Sequence, residues 1–172
     1  VSNEVRPDRN VSDLIQVGGS AGGGLDSELS YGSFDNFLES LMYSAWSTDV
    51  LKNGVDQKSF TIEKTFEAGA TDQYHRFTGS IVNTLSLSMS TQAIVTGAFG
   101  FVSKAHTSSQ AEVASSTYNA AATSEVINAA TGFGSLSITG ATSPELTALE
   151  LSITNNLSQQ QVLGSIDSRG IT

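Results

Sequence analysis

From Val82 to Ser90 the chain sets Leu85, Leu87 and Met89 against Ser86, Ser88 and Ser90. A period of two sends successive side chains to opposite faces of an extended backbone, whereas a helix would spread the same residues around its circumference. The segment Tyr74 to Ser90 is therefore read as a strand with one apolar and one hydroxyl-rich face. Ala93 to Lys104 follows almost at once with Val95, Phe99 and Phe101, and the two together predict a long hairpin.

The same alternation recurs in Ser59 to Phe66, where Phe60, Ile62 and Phe66 oppose Thr61, Glu63 and Thr65. Leu25 to Tyr31 places Leu25, Ser27, Leu29 and Tyr31 on one side and the carboxylates of Asp26 and Glu28 on the other, a strand with a wet acidic face. Leu146 to Thr154 predicts a further strand, and shorter strand signals stand at Leu14 to Val17, at Phe133 to Thr139 and near Val162. Asn53-Gly54 reads as a hairpin turn, and the glycines between Gly18 and Gly24 as a flexible one. One helix is expected: Phe34, Phe37, Leu38, Leu41 and Met42 recur at helical spacing, with Ser33 as its cap and Asp35 near its positive end. Residues 105–131 are mostly Ala, Ser, Thr and Asn, with little apolar area to bury, and read as a long mobile loop with at most a weak helix. Val82, Leu85, Leu87 and Met89 are echoed by Leu146, Leu149, Leu151 and Ile153 at a constant offset, as two similar β-layers would be. The fold class is mainly β: a β-sandwich or partly closed antiparallel barrel with one flanking helix, in a single domain of 172 residues.

Charge and composition exclude several functions. Acids outnumber bases 17 to 8, and Arg6, Arg9, Lys52, Lys58, Lys64, Arg76, Lys104 and Arg169 are scattered, so the chain has no basic patch with which to grip phosphates. It contains no cysteine, which removes disulfides, thiolate metal sites and thiol nucleophiles together. No apolar run approaches the roughly 20 residues that cross a bilayer as a helix. The start at Val1 and a strand pattern still running at Gly170-Ile171-Thr172 lead us to expect a piece cut at both ends.

Catalytic constellations are not evident. His75 and His106 are the only histidines, and neither has the spacing that recruits a metal or a nucleophile. The glycines at 18–24 lack the Lys-Ser/Thr of a phosphate loop. Asp8 with Asp13, or Asp26 with Glu28, fall short of the ligand density of a calcium loop. No catalytic residue, cofactor or metal ligand is assigned.

Several stretches together carry a resemblance: Asn3 to Ile15 (NEVRPDRNVSDLI), Glu28 to Asp35 (ELSYGSFD), Leu51 to Gly54 (LKNG), Ser59 to Lys64 (SFTIEK), and Phe77-Thr78-Gly79 with Val82 to Leu87 (VNTLSL). In order and content they resemble the tail tube proteins of long-tailed bacteriophages, the siphoviruses, most clearly from Val1 to Lys104; residues 105–131 depart from that pattern. The resemblance implies a structural virion protein of the phage tail whose copies form six-fold rings that stack into a tube for DNA ejection. It implies as partners the chain itself and other tail proteins such as the tape measure and terminator, with genomic DNA passing unbound and no membrane. On that reading Asp26 and Glu28 are candidates for the lumen, and Arg6, Pro7, Asp8 and Arg9 for an arm that reaches a neighbouring ring. The rival expectation is a β-sandwich module of the virion surface that binds carbohydrate or a receptor; a serine hydrolase is a third and weaker one.

Overall fold

Eighteen residues of extended backbone, Gln73–Ser90, form the strand on which the sheet is built. A computed structural model describes residues 15–140 and 145–172. In chain order the elements are β1 (Ala21–Glu28), α1 (Asp35–Met42), β2 (Phe60–Phe66), β3 (Gln73–Ser90), β4 (Thr96–Ser103), β5 (Ala105–Ser109), β6 (Ala148–Thr154), β7 (Gln159–Gln160) and β8 (Gly170–Ile171). The arm expected at residues 3–13, with Arg6, Pro7, Asp8 and Arg9, lies outside the described residues.

β3 and β4 make the predicted hairpin, with Leu85 opposite Phe99 and Val82 opposite Phe101. β5 continues it: Thr78 faces Ala105 in the register that sets Ile81 against Val102, so β4 and β5 are one strand interrupted at Lys104. The interruption is built at Gly79, whose φ is +59°. A Cβ there would meet Lys104 Cδ at 2.7 Å, so both the backbone conformation and the packing call for glycine. A second irregularity falls between Val82 and Thr84. It leaves Asn83 free to accept from Leu157 N at 2.8 Å and Asn155 N at 2.8 Å, which fastens the segment after β6.

The other edge of β3 is divided. β2 pairs with Gln73–Ser80 and β6 with Thr84–Ser90, while β1 extends the sheet beyond β4. Bulges of this kind raise local twist, and the six-stranded antiparallel sheet curls into a half-barrel. Of the two expected architectures, a β-sandwich or a partly closed barrel, it is the partly closed barrel with a single helix. The echoed leucines do not form separate layers: Leu85, Leu87 and Met89 stand directly opposite Ile153, Leu151 and Leu149 in adjacent strands.

Helix α1 covers the inner face. Leu41, Val82, Leu85, Phe99 and Phe101 are buried together, and Phe34, Phe37, Leu38, Phe60 and Ile62 pack against them. Phe37 is the hub, edge-on to Phe60, Phe99 and Phe101 at 5.6, 5.5 and 5.1 Å, each such pair adding about 0.5–1.5 kcal/mol to its burial. Ser40 is fully buried; its hydroxyl donates to Lys58 O at 2.8 Å and accepts from Val82 N at 3.2 Å, tying the helix to the bulged stretch of β3. At the C-terminus, Gly54 N and Asp56 N donate to Met42 O and Tyr43 O at 2.9 and 2.8 Å, so the chain covers carbonyls that a helix end leaves unpaired.

Several local expectations are corrected. Phe34, not Ser33, occupies the N-cap position and makes no side-chain cap bond; its ring stacks on Phe99 at 5.5 Å and sets the entry of the helix, while Ser33 Oγ accepts from Ser30 Oγ. Asn53-Gly54 is no hairpin turn, because Gly54 is pressed against the carbonyl of Tyr43. Ala21–Gly24 is the first half of β1 rather than a turn, since Gly22 must pass so close to Phe101 O that a Cβ would lie 2.6 Å from it. β1 ends at Glu28 instead of Tyr31. Residues 105–131 begin as β5 and contain no helix; along them Arg76 Nη2 donates to Ala111 O, Tyr118 Oη to Glu63 and Ile127 N to Leu29 O. Ile15 to Val17, Phe133 to Thr139 and the stretch at Val162 form no strand; alternation becomes a strand only where a ladder partner is in reach.

Two carboxylates hold peripheral segments. Glu39 accepts from Lys58 Nζ and Trp46 N, and these bonds, Lys58's first, keep its carboxyl below the usual range. Glu63 is held low by the Tyr118 hydroxyl and then by Arg76.

Replacing Phe99 with Ala is expected to cost about 3–5 kcal/mol through cavity formation, and Ser40→Ala about 1–3 kcal/mol by orphaning a buried amide; urea unfolding measures both. Because Glu39 and Glu63 have lowered native values, their stabilisation is present above the ordinary carboxylate value, about 4.3, and is lost as pH falls through the native ones. Melting temperatures measured down an acid series should fall less steeply in Glu39→Gln and Glu63→Gln than in wild type.

Candidate assembly face and strand edges

In an antiparallel sheet, directly paired residues share a face. The strands β1, β4, β3 and β6 lie side by side in that order, so their registers define rows across the side turned away from α1. One row reads Glu28, Thr96, Ser88, Glu150; the next Asp26, Ala98, Ser86, Ser152; the third Gly24, Gly100, Thr84, Thr154. Three carboxylates, six hydroxyls, three small residues and no basic side chain make up this surface. The two acids singled out from the sequence lie on a shallow groove with Ser86, Ser88 and Thr96, and the pairing of Ser88 with Glu150 adds a third carboxylate to Glu28's row. Glu150 was legible as the polar partner of Leu149 and Leu151, but only the β3–β6 register puts it in Glu28's row.

The positive side chains of the sheet region are engaged elsewhere. Lys58 pairs with Glu39, Arg76 with Glu63, Lys64 lies over the Phe66 ring at 4.7 Å, and the Lys104 stem packs on Gly79. Among the described residues, neither ion pair of the structure involves Asp26, Glu28 or Glu150.

The margins of this surface are unfinished. Among the described residues β1 pairs only with β4, and β6 only with β3, so each leaves a row of backbone N–H and C=O groups without a ladder. Isolated proteins blunt such edges with Lys, Pro or bulges. Neither Ala21–Glu28 nor Ala148–Thr154 contains a Lys or a Pro. Successive antiparallel pairings also leave β1 and β6 pointing in opposite directions, so a second copy of β6 can continue the ladder of β1 in antiparallel sense.

Folding also produces a pair that sequence spacing did not predict. His75 on β3 and His106 on β5 stack with ring centroids 5.2 Å apart and a 3.0 Å contact from Nδ1 to Nε2. The β3–β5 register, which sets Phe77 opposite His106, is what brings them together. The pair lies on the other half of β3 from the acidic rows and forms no cluster of three ligands with a Cys, Asp or Glu among the described residues.

Among the described residues no helix is long and apolar enough to cross a membrane. A search of curated proteins finds no match to the chain. A family model described as "Phage tail tube protein" matches residues 1–172, and the chain belongs to the phage tail tube protein family, whose members are structural, self-assembling components of the virion tail.

Proposed function

We propose that copies of this chain join β1 of one to β6 of the next, close into six-membered rings, and stack so that the carboxylate-and-hydroxyl face lines the bore through which DNA leaves the virion. The observation that carries this reading is the set of rows described above: a sheet face bearing Asp26, Glu28 and Glu150 with no basic residue. A polyanion held against Lys or Arg releases counterions and binds; against carboxylates it gains nothing and stays hydrated and free to move. Hydroxyls hold water without bulk, and the glycines and alanine keep the bore wide.

Size agrees with the purpose. Four strands from each of six copies, spaced at about 4.8 Å, give a closed sheet about 115 Å around and about 37 Å across at the backbone before tilt widens it. That leaves room for a hydrated duplex between side chains mostly as small as serine. Ring closure also answers the edge problem, because each unpaired margin becomes an interior ladder. On this reading the arm with Arg6, Pro7, Asp8 and Arg9 orders onto an adjacent ring, its ordering cost offset by new contacts, and the tape measure and terminator meet the tube in its bore and at its end.

Ser86→Lys tests the bore without touching a margin, since β3 is flanked by β4 and β6 at that position. Tails should assemble normally, while DNA release from triggered virions slows and recovers as salt is raised. Release at the wild-type rate in low salt would refute the placement of this face.

A further inference from the structure

β1 is an incomplete wall. Toward the core it offers Ala21, Gly23, Leu25 and Ser27, opposite Ser103, Phe101, Phe99 and Gly97, and the first two cover little. Beside it a largely apolar groove of about 440 Å³ runs between the margins of β1 and β2, lined by Gly23, Leu25, Phe37 and Phe101 and, from β2, by Ile62 with the charged Glu63 and Lys64. A Cβ on Gly23 would meet nothing within 4 Å. The opposite margin has the converse surplus: Leu149 and Leu151 of β6 are 42% and 47% exposed, and their partners Met89 and Leu87 put them on the core side of the sheet.

Resting on the ring reading, we propose that Leu149 and Leu151 of one copy fill the groove beside Gly23 of the next, with Leu151 standing opposite Gly23. The occupant is a second copy of this chain because the family self-assembles and because the two margins match in direction, face and shape. Continuing the sheet from β1 into a neighbouring β6 keeps faces aligned, so the leucines fall on the groove side and Glu150 and Ser152 on the wet side. A slip of one residue would bury Glu150 among phenylalanines and expose both leucines to the bore. A slip of two or four toward the other end would set Glu150 against Asp26 or Glu28, like charge facing like charge. With Leu151 opposite Gly23, Glu150 faces Gly24, Ser152 faces Gly22 and Leu149 faces Leu25. The run of glycines thereby acquires a role in assembly: Gly23 leaves the space that a neighbour's leucine takes.

The chain has no cysteine, so Gly23→Cys combined with Leu151→Cys reports the contact directly. Oxidised tubes of this double variant should resolve on a denaturing gel as a ladder of linked copies, whereas each single variant should not. Leu149→Asp/Leu151→Asp should leave an isolated copy with unchanged circular dichroism and melting, because both positions are exposed, yet reduce tube yield at least about tenfold. Gly23→Leu, which fills the groove from within the same copy, should reduce it similarly. Tubes that form with no ladder, normal assembly of the double aspartate variant, or linkage of Gly23→Cys to a different tail protein would each overturn the proposal while leaving the ring reading intact. Native tails whose tube lacks this chain would overturn both.

Discussion

The molecule depends on β3 using both of its edges twice. Eighteen residues of extended chain carry β4 and β5 along one side, and β2 followed by β6 along the other. A strand so long cannot stay flat, because twist accumulates along it, and the irregularities at Gly79 and Asn83 concentrate that twist where the partners change. The outcome is a sheet with two territories. One folds around α1 and its phenylalanines to make the core; the other, from β1 to β6, exposes a polar surface and ends in two margins that, among the described residues, carry no further ladder.

Much of this was legible in the residues, and the boundary of legibility is physical. Strict alternation identified β2, β3, β4 and β6, and helical spacing identified α1, because burial on one face writes its own period into a sequence. What failed were features that serve a close approach rather than a pattern. Gly22 and Gly54 look alike as turn signals, yet one lies in a strand beside Phe101 O and the other against Tyr43 O; Gly79, inside the expected strand, carries no sign that it sits beneath the Lys104 stem. Ser33 has the chemistry of a cap, but the stacking of Phe34 on Phe99 outweighs a bond worth about 1 kcal/mol. β5 was hidden because Ala105 to Ser109 have almost no strand propensity of their own and are held by continuing the β4 ladder.

The candidate site was half legible. Asp26 and Glu28 declare a wet strand face through their alternation with Leu25, Ser27 and Leu29, but the rest of the surface comes from registers among strands far apart in sequence. The absence of a basic residue from those rows is a property of the fold and not of the composition, since Lys58, Lys64, Arg76 and Lys104 belong to the same sheet and its surroundings and are occupied elsewhere. A face that carries negative charge also repels its own copies. On the proposed reading, assembly draws on backbone ladders and buried leucines, interactions that added salt does not weaken, while salt lessens the repulsion between carboxylates.

In the proposed tube the rows holding Asp26, Glu28 and Glu150 face inward, and β1 and β6 meet between copies. A near-atomic map of the tail tube from intact virions tests it most directly. The expected map shows a continuous β-lined bore with those three carboxylates exposed in it and a β1–β6 ladder at every subunit junction. A map that turns these rows to the outside of the tube, or joins subunits through loops with β1 and β6 left unpaired, would contradict it.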